Sequence, residues 1–168
     1  AIAVPADAAE VAAVVADARE RGWRVAAQAT GHNAAPLGSL DGTLILNTSA
    51  LTGVTIDPAA RRVRVGAATR WRDVVPQLSE LGLAALHGSS PHVGIVGYSL
   101  GGGIGWLARK HGMQTNAVTA IEVVTADGRL VRADEDNEPD LFWALRGGNG
   151  NFGIVTALEF EVQPVREL

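Results

Sequence analysis

The segment 97–105 (GYSLGGGIG) could carry three different chemistries, because it matches three motifs. Its first five residues have the pattern Gly-x-Ser-x-Gly, which is the nucleophile elbow of a hydrolase with Ser99 as the nucleophile. Residues 103–108 have the pattern Gly-x-Gly-x-x-Ala, which is a dinucleotide fingerprint. As a plain run of glycines, the segment is a loop whose backbone can approach a phosphate or a flat ring closely.

The first two interpretations lack the context that they require. A hydrolase of this type needs an acid and then a histidine later in the chain. The only histidine after Ser99 is His111, and no acid lies between them. A dinucleotide fold needs a crossover of at least about 10–12 residues, but only 106–111 fit before the next glycine. A second fingerprint match, at 148–153, leads into a strand pattern instead of a helix.

The third interpretation gains support from the rest of the chain. Residues 30–33 (TGHN) form a tight loop directly after a predicted strand, and another glycine-rich loop lies at 147–153. Several backbone loops of this kind can converge on one extended ligand that carries two phosphates. The loops hold almost no Lys or Arg, so backbone N–H groups are expected to bind the phosphates.

Bulk composition restricts the class of protein. The chain has 168 residues, 47% of them apolar, which is enough for one domain with a core. Its net charge of −4 argues against a nucleic-acid or anionic-membrane surface. The absence of cysteine excludes disulfides, iron–sulfur clusters and thiolate zinc sites. No run of 18 apolar residues and no signal peptide is visible, which favours a cytoplasmic protein.

A metal site is not expected from the remaining histidines. His87, His92 and His111 do not share one face of one element, and no acids are interleaved with them. We therefore predict no metal ligand. No catalytic residue is predicted within this chain either.

Periodicity and turn residues predict the α+β class. A helix over 8–18 begins with Asp7 as its N-cap and Glu10 at the capping-box position. The region 87–105 is predicted to be a loop with one short helical turn. The other predicted elements are helices over 70–81 and 139–145, strands over 23–27, 43–47 and 154–162, and hairpins over 54–66 and 120–131.

A series of motifs in a fixed order carries a family resemblance. They are the segments 28–32 (QATGH), 66–71 (GAATRW), 90–97 (SPHVGIVG), 101–105 (GGGIG), 109–112 (RKHG) and 145–156 (LRGGNGNFGIVT). With them, the chain resembles the FAD-binding domain of the berberine-bridge-enzyme-like FAD-linked oxidases, which belong to the vanillyl-alcohol-oxidase (PCMH) group. The resemblance spans nearly the whole chain.

The resemblance implies a PCMH-type domain over 1–168, built from two α/β subdomains with FAD between them. A small βαβ-type subdomain would occupy 1–52, and an antiparallel sheet with helices would occupy 53–168. The implied function is that of a flavin-dependent oxidase, which takes a hydride from a small organic substrate and reduces oxygen to hydrogen peroxide. The substrate domain and C-terminal segment of the family are expected to be absent from this chain. The alternative is a non-catalytic flavin-binding or interaction module.

The resemblance also implies individual roles. His32 would bond covalently to the 8α-methyl of the flavin. Ser90 stands where bicovalent members carry a cysteine, so a single covalent link is expected. Val93 would be the oxygen gatekeeper, where a small valine is associated with oxidases. Tyr98, an implied cofactor-binding residue, replaces a common histidine. The other implied cofactor-binding residues are Gln28, Ala29, Thr30, Gly31, Asn33, Gly94, Gly97, Gly101, Gly102, Gly103, Gly105, Trp106, Gly153, Ile154 and Val155.

Backbone binding of the phosphates leads to an expectation for substitutions in the glycine run. A side chain would hold a phosphate away from the backbone. Valine at Gly102 or Gly103 is therefore expected to abolish FAD binding, whereas a change at Lys110 is expected to matter little.

Overall fold

A computed structural model describes residues 1–34 and 38–165. It combines helices with three sheets, so the mixed helix-and-sheet prediction is confirmed. The helices are α1 (Ala8–Glu20), α2 (Trp71–Glu80), α3 (Ile95–Leu100), α4 (Ala108–His111), α5 (Gln114–Ala117) and α6 (Pro139–Gly148). The strands are β1 (Ile2–Ala3), β2 (Arg24–Gln28), β3 (Thr43–Asn47), β4 (Val54–Asp57), β5 (Arg62–Gly66), β6 (Leu83–Ala84), β7 (Val118–Val124), β8 (Leu130–Ala133), β9 (Ile154–Glu161) and β10 (Gln163–Pro164).

Helix α1 begins where its capping residues predict. The Asp7 carboxylate accepts a hydrogen bond from the Glu10 N–H at 2.9 Å, and the Glu10 carboxylate accepts one from the Ala6 N–H at 2.8 Å. The first bond pairs one of the N–H groups that the start of the helix leaves free, and the second joins the residue before the N-cap to the first turn. The helix ends just before Gly22, whose φ is 66°. It is thus two residues longer than predicted at its C-terminal end.

The strands form two main sheets of different type. A parallel three-stranded sheet has the order β1-β3-β2, and α1 makes the connection between β1 and β2. An antiparallel five-stranded sheet has the order β4-β5-β9-β7-β8, which includes both predicted hairpins. The strands β1, β6 and β10 were not predicted. Each has only two residues, which is too short for a periodic pattern, and each depends on its partner strand.

Two hydrophobic clusters hold these elements together. The larger cluster packs the five-stranded sheet against α2, α3 and α6, and the rings of Trp71 and Phe160 meet edge-on inside it at 5.9 Å. The smaller cluster joins α1 and β3 to the start of β9, through residues such as Val11, Leu46 and Ile154. The second cluster therefore fixes the parallel sheet relative to the antiparallel one.

Helix α3 is longer than the single turn predicted within the region 87–105. Its residues Ile95, Val96, Ser99 and Leu100 are all buried, and burial of this face stabilises a helix of six residues. The surrounding glycines make the helix hard to predict from the sequence. The short helices α4 and α5 follow it and were not predicted.

No helix in the described parts of the chain is both long and apolar enough to cross a bilayer.

Ion pairs on the exposed face of the five-stranded sheet lead to a pH prediction. The Arg132 guanidinium on β8 donates to both carboxylate oxygens of Glu159 on β9, at 2.7 and 3.2 Å. These hydrogen bonds hold the pKa of Glu159 below its ordinary value of 4.5. We expect Arg132→Met to lower the free energy of unfolding by roughly 0.5–1 kcal/mol at pH 7. The difference should disappear as the pH falls from 4.5 through the lower folded-state pKa, because the carboxylate is then protonated in both states.

Urea unfolding at pH 7 and at pH 3 measures this difference. Arg109→Met is the matched control, because Arg109 is an exposed arginine on α4 outside the sheet. A penalty for Arg132→Met that is equally large at both pH values would contradict the prediction.

Candidate functional site

The loop after β2 exposes His32 to solvent. The Ala34 N–H donates to the Gly31 carbonyl at 3.1 Å, which closes a turn over 31–34, and Gly31 enters this turn with a φ of 75°. His32 and Asn33 lie at the tip and are exposed, whereas Thr30 is half-buried. A ligand that approaches from outside can therefore reach the imidazole.

The start of α3 lies against this loop. A methyl group placed on Gly94 would come 3.5 Å from Thr30 Cγ2 and 4.0 Å from the Ala29 Cβ. The preceding residues are held by α2, because the Trp71 and Arg72 N–H groups donate to the carbonyls of Val93 and Pro91 at 3.2 and 3.0 Å. The structure thus brings residues 28–33 and 90–94 together. Ser90 and Val93 are both half-buried there, and Val93 packs against the larger core cluster.

Glycines lie within α3 and at both of its ends. Gly97 lies inside α3, and Gly94 and Gly101 are its N-cap and C-cap residues. The three glycines are spaced by three and four residues, so they lie on the same side; we call them the α3 glycine strip. A methyl group on Gly97 would meet no described atom within 4 Å, and one on Gly94 or Gly101 would meet none closer than 3.5 Å. None of the three has a positive φ. Glycine is common at the two cap positions, but neither backbone conformation nor packing among the described residues explains the missing side chain at Gly97.

Gly102 and Gly103, in contrast, are needed by the fold itself. Their φ values are 103° and 75°, which disfavour any residue with a Cβ. A methyl group on Gly103 would lie 2.6 Å from Tyr98 Cε1 and 2.8 Å from the Gln114 Cβ. Their carbonyls accept hydrogen bonds from the Thr115 and Gln114 N–H groups, each at 2.9 Å. These two glycines therefore hold the loop against α5.

The other predicted residues of this region differ in exposure. Gly105 lies so close to the His87 carbonyl that no side chain fits there. Trp106 is 75% exposed and does not pack on the core. Tyr98 is partly buried, and burial raises the pKa of its phenol above the ordinary value.

Ser99 is enclosed in the protein. Its side chain is 0% exposed, and its hydroxyl donates to the Ile95 carbonyl at 2.8 Å. A nucleophile must reach its substrate, so this burial excludes the hydrolase interpretation of residues 97–101 and accounts for Ser99 as part of the buried face of α3. Among the described residues, no group of three His, Asp or Glu side chains is placed to hold a metal ion.

The second glycine-rich loop lies at the other end of the α3 glycine strip. A methyl group on Gly101 would come 3.9 Å from Asn149 Nδ2, and Asn149 begins a 3-10 turn over Asn149–Phe152. Gly153 follows with a φ of 149° and packs tightly on the Val124 carbonyl. Ile154 and Val155 then enter β9, where they are buried and paired with β7.

This loop forms one wall of a cleft of about 460 Å³. Most of the side chains in it are apolar, and the opposite wall comes from α1 and β2. The lining residues are Val15, Arg19, Gly22, Trp23, Val25, Val124, Thr125, Ala126, Gly150, Asn151, Gly153 and Ile154. Trp23 and Arg19 were not predicted as site residues. The sequence gives no signal for them: Trp23 lies just before β2, and only its exposure of 42% in the structure points to a site.

The site is therefore a continuous surface with three parts. An exposed histidine loop lies at one end, the α3 glycine strip follows, and the loop 149–153 leads to an apolar cleft at the other end. Such a surface suits an extended ligand with a central group that must approach backbone closely. The fold and the site together define a domain that binds a dinucleotide cofactor.

Comparisons with known proteins identify the cofactor. A family model described as "FAD binding domain" matches residues 1–134. The xylooligosaccharide oxidase of Thermothelomyces thermophilus is 40% identical over 164 residues, which cover 96% of this chain and 33% of that protein. Crystallised 6-hydroxy-D-nicotine oxidase from Arthrobacter nicotinovorans superposes with a TM-score of 0.91 at 34% identity, covering 97% of this chain and 36% of that one.

A further solved structure connects the chain to the berberine-bridge-enzyme-like proteins. Physcomitrella patens BBE-like 1 superposes with a TM-score of 0.89 at 32% identity, over 96% of this chain and 36% of that one. The chain belongs to the FAD-binding domain family of the FAD-linked oxidases, as the sequence motifs predicted. It spans about a third of the length of the curated relatives that it matches.

Proposed function

We propose that the domain binds FAD in an extended form along the surface described above, between a subdomain over 1–52 and a subdomain over 53–168. The observation that carries this proposal is the α3 glycine strip. Glycine costs stability within a helix, and the described residues give no reason for Gly97, which lies inside α3 between the capping glycines Gly94 and Gly101. A ligand that lies directly against the helix backbone supplies that reason.

Each part of the surface fits one part of the cofactor. The exposed His32 loop and the neighbouring Val93 segment would hold the flavin ring, and the α3 glycine strip would lie along the pyrophosphate. The cleft beside Trp23 and Ile154 would take the adenine, since an apolar cleft with an aromatic wall suits a purine. Residues 28–33 and 101–105 contain no Lys or Arg, so the phosphates would depend on backbone N–H groups.

His32 would hold the flavin by a covalent bond from an imidazole nitrogen to the 8α-methyl carbon. The imidazole N–H and one methyl C–H bond would be broken, and oxygen would accept the two electrons and two protons as hydrogen peroxide. Its exposed position at the tip of a turn allows the approach that such a bond needs. Ser90 carries a hydroxyl in place of a thiol and cannot form a thioether, which supports a single link. A covalent histidine link generally raises the reduction potential of the flavin, which favours oxidation of the substrate.

In the whole protein, bound FAD would accept a hydride from a small organic substrate and pass electrons to oxygen, giving hydrogen peroxide. The names of the relatives support this class of reaction, since they are oxidases of xylooligosaccharides and of 6-hydroxynicotine. This chain would supply the flavin-holding part of the reaction. The substrate pocket and the catalytic base would come from a further domain of the kind that the family carries.

Denaturation of the purified, flavin-loaded protein tests the proposal. Yellow, flavin-fluorescent material should remain with the polypeptide in acid or detergent. Flavin that binds but is lost on denaturation would contradict the covalent link but not the binding of FAD. A well-folded chain that takes up no flavin, even after reconstitution, would contradict the cofactor assignment.

A second prediction concerns the role of Val93 in the reaction of the reduced flavin with oxygen. We expect Val93→Leu to slow the reoxidation of the reduced flavin by oxygen about tenfold, which corresponds to about 1.4 kcal/mol in the barrier. The larger side chain would fill the space through which oxygen reaches the flavin. Stopped-flow absorbance after photoreduction measures the rate without any substrate. Val75→Leu is the control, because Val75 is also a partly buried valine on the larger core cluster, but it lies on α2. Equal rates for Val93→Leu and the wild type would refute the gatekeeper role.

A further inference from the structure

The ring of Tyr98 lies between two glycines that belong to different segments. A methyl group on Gly88 would come 3.3 Å from Tyr98 Cε2, and a methyl group on Gly103 would come 2.6 Å from Tyr98 Cε1. Cε1 and Cε2 are on opposite edges of the same ring. The segment 86–90 and the loop 101–103 are therefore separated by the width of one aromatic ring, and both glycines lack the side chain that would collide with it.

The core holds this ring in place. The Tyr98 ring meets Trp71 edge-on, with centroids 5.6 Å apart and planes at 89°, and Trp71 is fully enclosed, with 1% of its surface exposed. The phenolic hydroxyl donates to the Leu86 carbonyl at 3.3 Å, which is a long hydrogen bond. Packing of the ring, more than its hydroxyl, thus determines the separation of the two segments.

This spacer adjoins the proposed flavin site. Tyr98 follows Gly97 of the α3 glycine strip, and the segment that it holds away from loop 101–103 leads directly into Ser90 and Val93. We infer that Tyr98 is a positioning residue: the width of its ring sets the distance between the segment that carries Ser90 and Val93 and the loop 101–103, and so sets where bound flavin lies relative to Val93. The inference rests on the proposed function, and it gives Tyr98 a role that does not require contact with the cofactor.

Three variants of the flavin-loaded protein test the inference. Tyr98→Phe keeps the ring and should retain both the visible absorption spectrum of the flavin and its rate of reoxidation by oxygen. Tyr98→Val removes the ring and should shift the spectrum. It should also change the reoxidation rate by at least about tenfold, since a misplacement of about 1 Å can cost up to 100-fold. Gly88→Ala pushes the same ring from the other side and should shift the spectrum as well.

The combination of two variants separates positioning from general destabilisation. Gly88→Ala should shift the spectrum in the wild-type background but have little further effect in Tyr98→Val, because the ring that the methyl group presses on is gone. Leu78→Ala is the control, since Leu78 is buried in the same core cluster but lies on α2. It should lower the melting temperature and leave the spectrum of the flavin unchanged.

Several outcomes would overturn the inference. Unchanged spectra and rates in both loaded Tyr98→Val and Gly88→Ala would do so, as would an equal shift in Leu78→Ala. If Tyr98→Val fails to fold, Gly88→Ala alone tests the inference. If the Tyr98 ring does not set the spacing, the flavin spectrum of Gly88→Ala will be unchanged, and the inference is wrong. A wild-type chain that takes up no flavin would contradict the proposed function and the inference together, so the two failures can be told apart.

Discussion

Replacement of His32 by alanine is expected to abolish the retention of flavin by the denatured polypeptide. The imidazole is the group proposed to bond the cofactor, and it is exposed at the tip of the turn over 31–34. Its loss should leave the fold intact, because the described contacts give it no part in the core. The measurement is the flavin fluorescence of the protein band after denaturing electrophoresis, together with the mass of the intact chain. Flavin that binds to His32→Ala reversibly would show that the remaining surface holds FAD without the bond.

His111→Ala is the matched control for this experiment. His111 ends α4 and is half-buried, and no role in cofactor binding is proposed for it, so its replacement should leave the bound flavin unchanged. Denaturation-resistant flavin on His32→Ala would refute the assignment. Mapping of the flavin-bearing peptide would then identify the residue that carries the link.

Replacement of Gly97 by leucine is expected to lower the affinity for FAD at least about 100-fold, which is about 2.7 kcal/mol, without harm to the fold. A side chain at this position enters space in which no described atom lies within 4 Å. Leucine in place of glycine within a helix should instead add about 0.5–1 kcal/mol to the free energy of unfolding. Thermal melting of the flavin-free chain measures the stability. Quenching of flavin fluorescence in an FAD titration of a His32→Ala background measures the affinity.

Lys110→Ala is the control for the affinity measurement, because Lys110 is an exposed residue of α4 outside the surface proposed for FAD. Its FAD affinity should equal that of the His32→Ala background. Wild-type affinity in Gly97→Leu would show that nothing lies against the α3 glycine strip and would remove the main support for the binding mode.

The Gly97→Leu experiment is a sharper test than valine at Gly102 or Gly103, which the sequence suggests. Valine at Gly102 or Gly103 was expected to abolish FAD binding, and it still should, but the structure gives both glycines a role in folding. Their positive φ values and the close contacts of Gly103 with Tyr98 and Gln114 mean that valine would strain the loop whether or not FAD is bound. Gly97, in contrast, separates loss of the ligand from loss of the fold.

The sequence by itself determined the family and most of the regular elements. Capping at Asp7, the turn residues of the two hairpins and the alternation in 154–162 are local signals, and local signals can be recognised without a partner. The order of the glycine motifs was enough to identify an FAD-binding domain, since each motif lies on its own short segment. Two-residue strands such as β1 and β6 were missed, because they are defined only by pairing with a strand that is distant in the sequence.

Only the tertiary structure distinguishes the glycines that the fold requires from those that it does not. In the sequence, Gly97 and Gly103 belong to one glycine-rich stretch and appear equivalent. In the fold, one lies on an open helix face and the other is closed in by Tyr98 and Gln114. The same holds for Ser99, whose motif suggests a nucleophile but whose hydroxyl is buried against Ile95. The space around an atom depends on how the chain packs around it in three dimensions, so a sequence motif by itself does not report it.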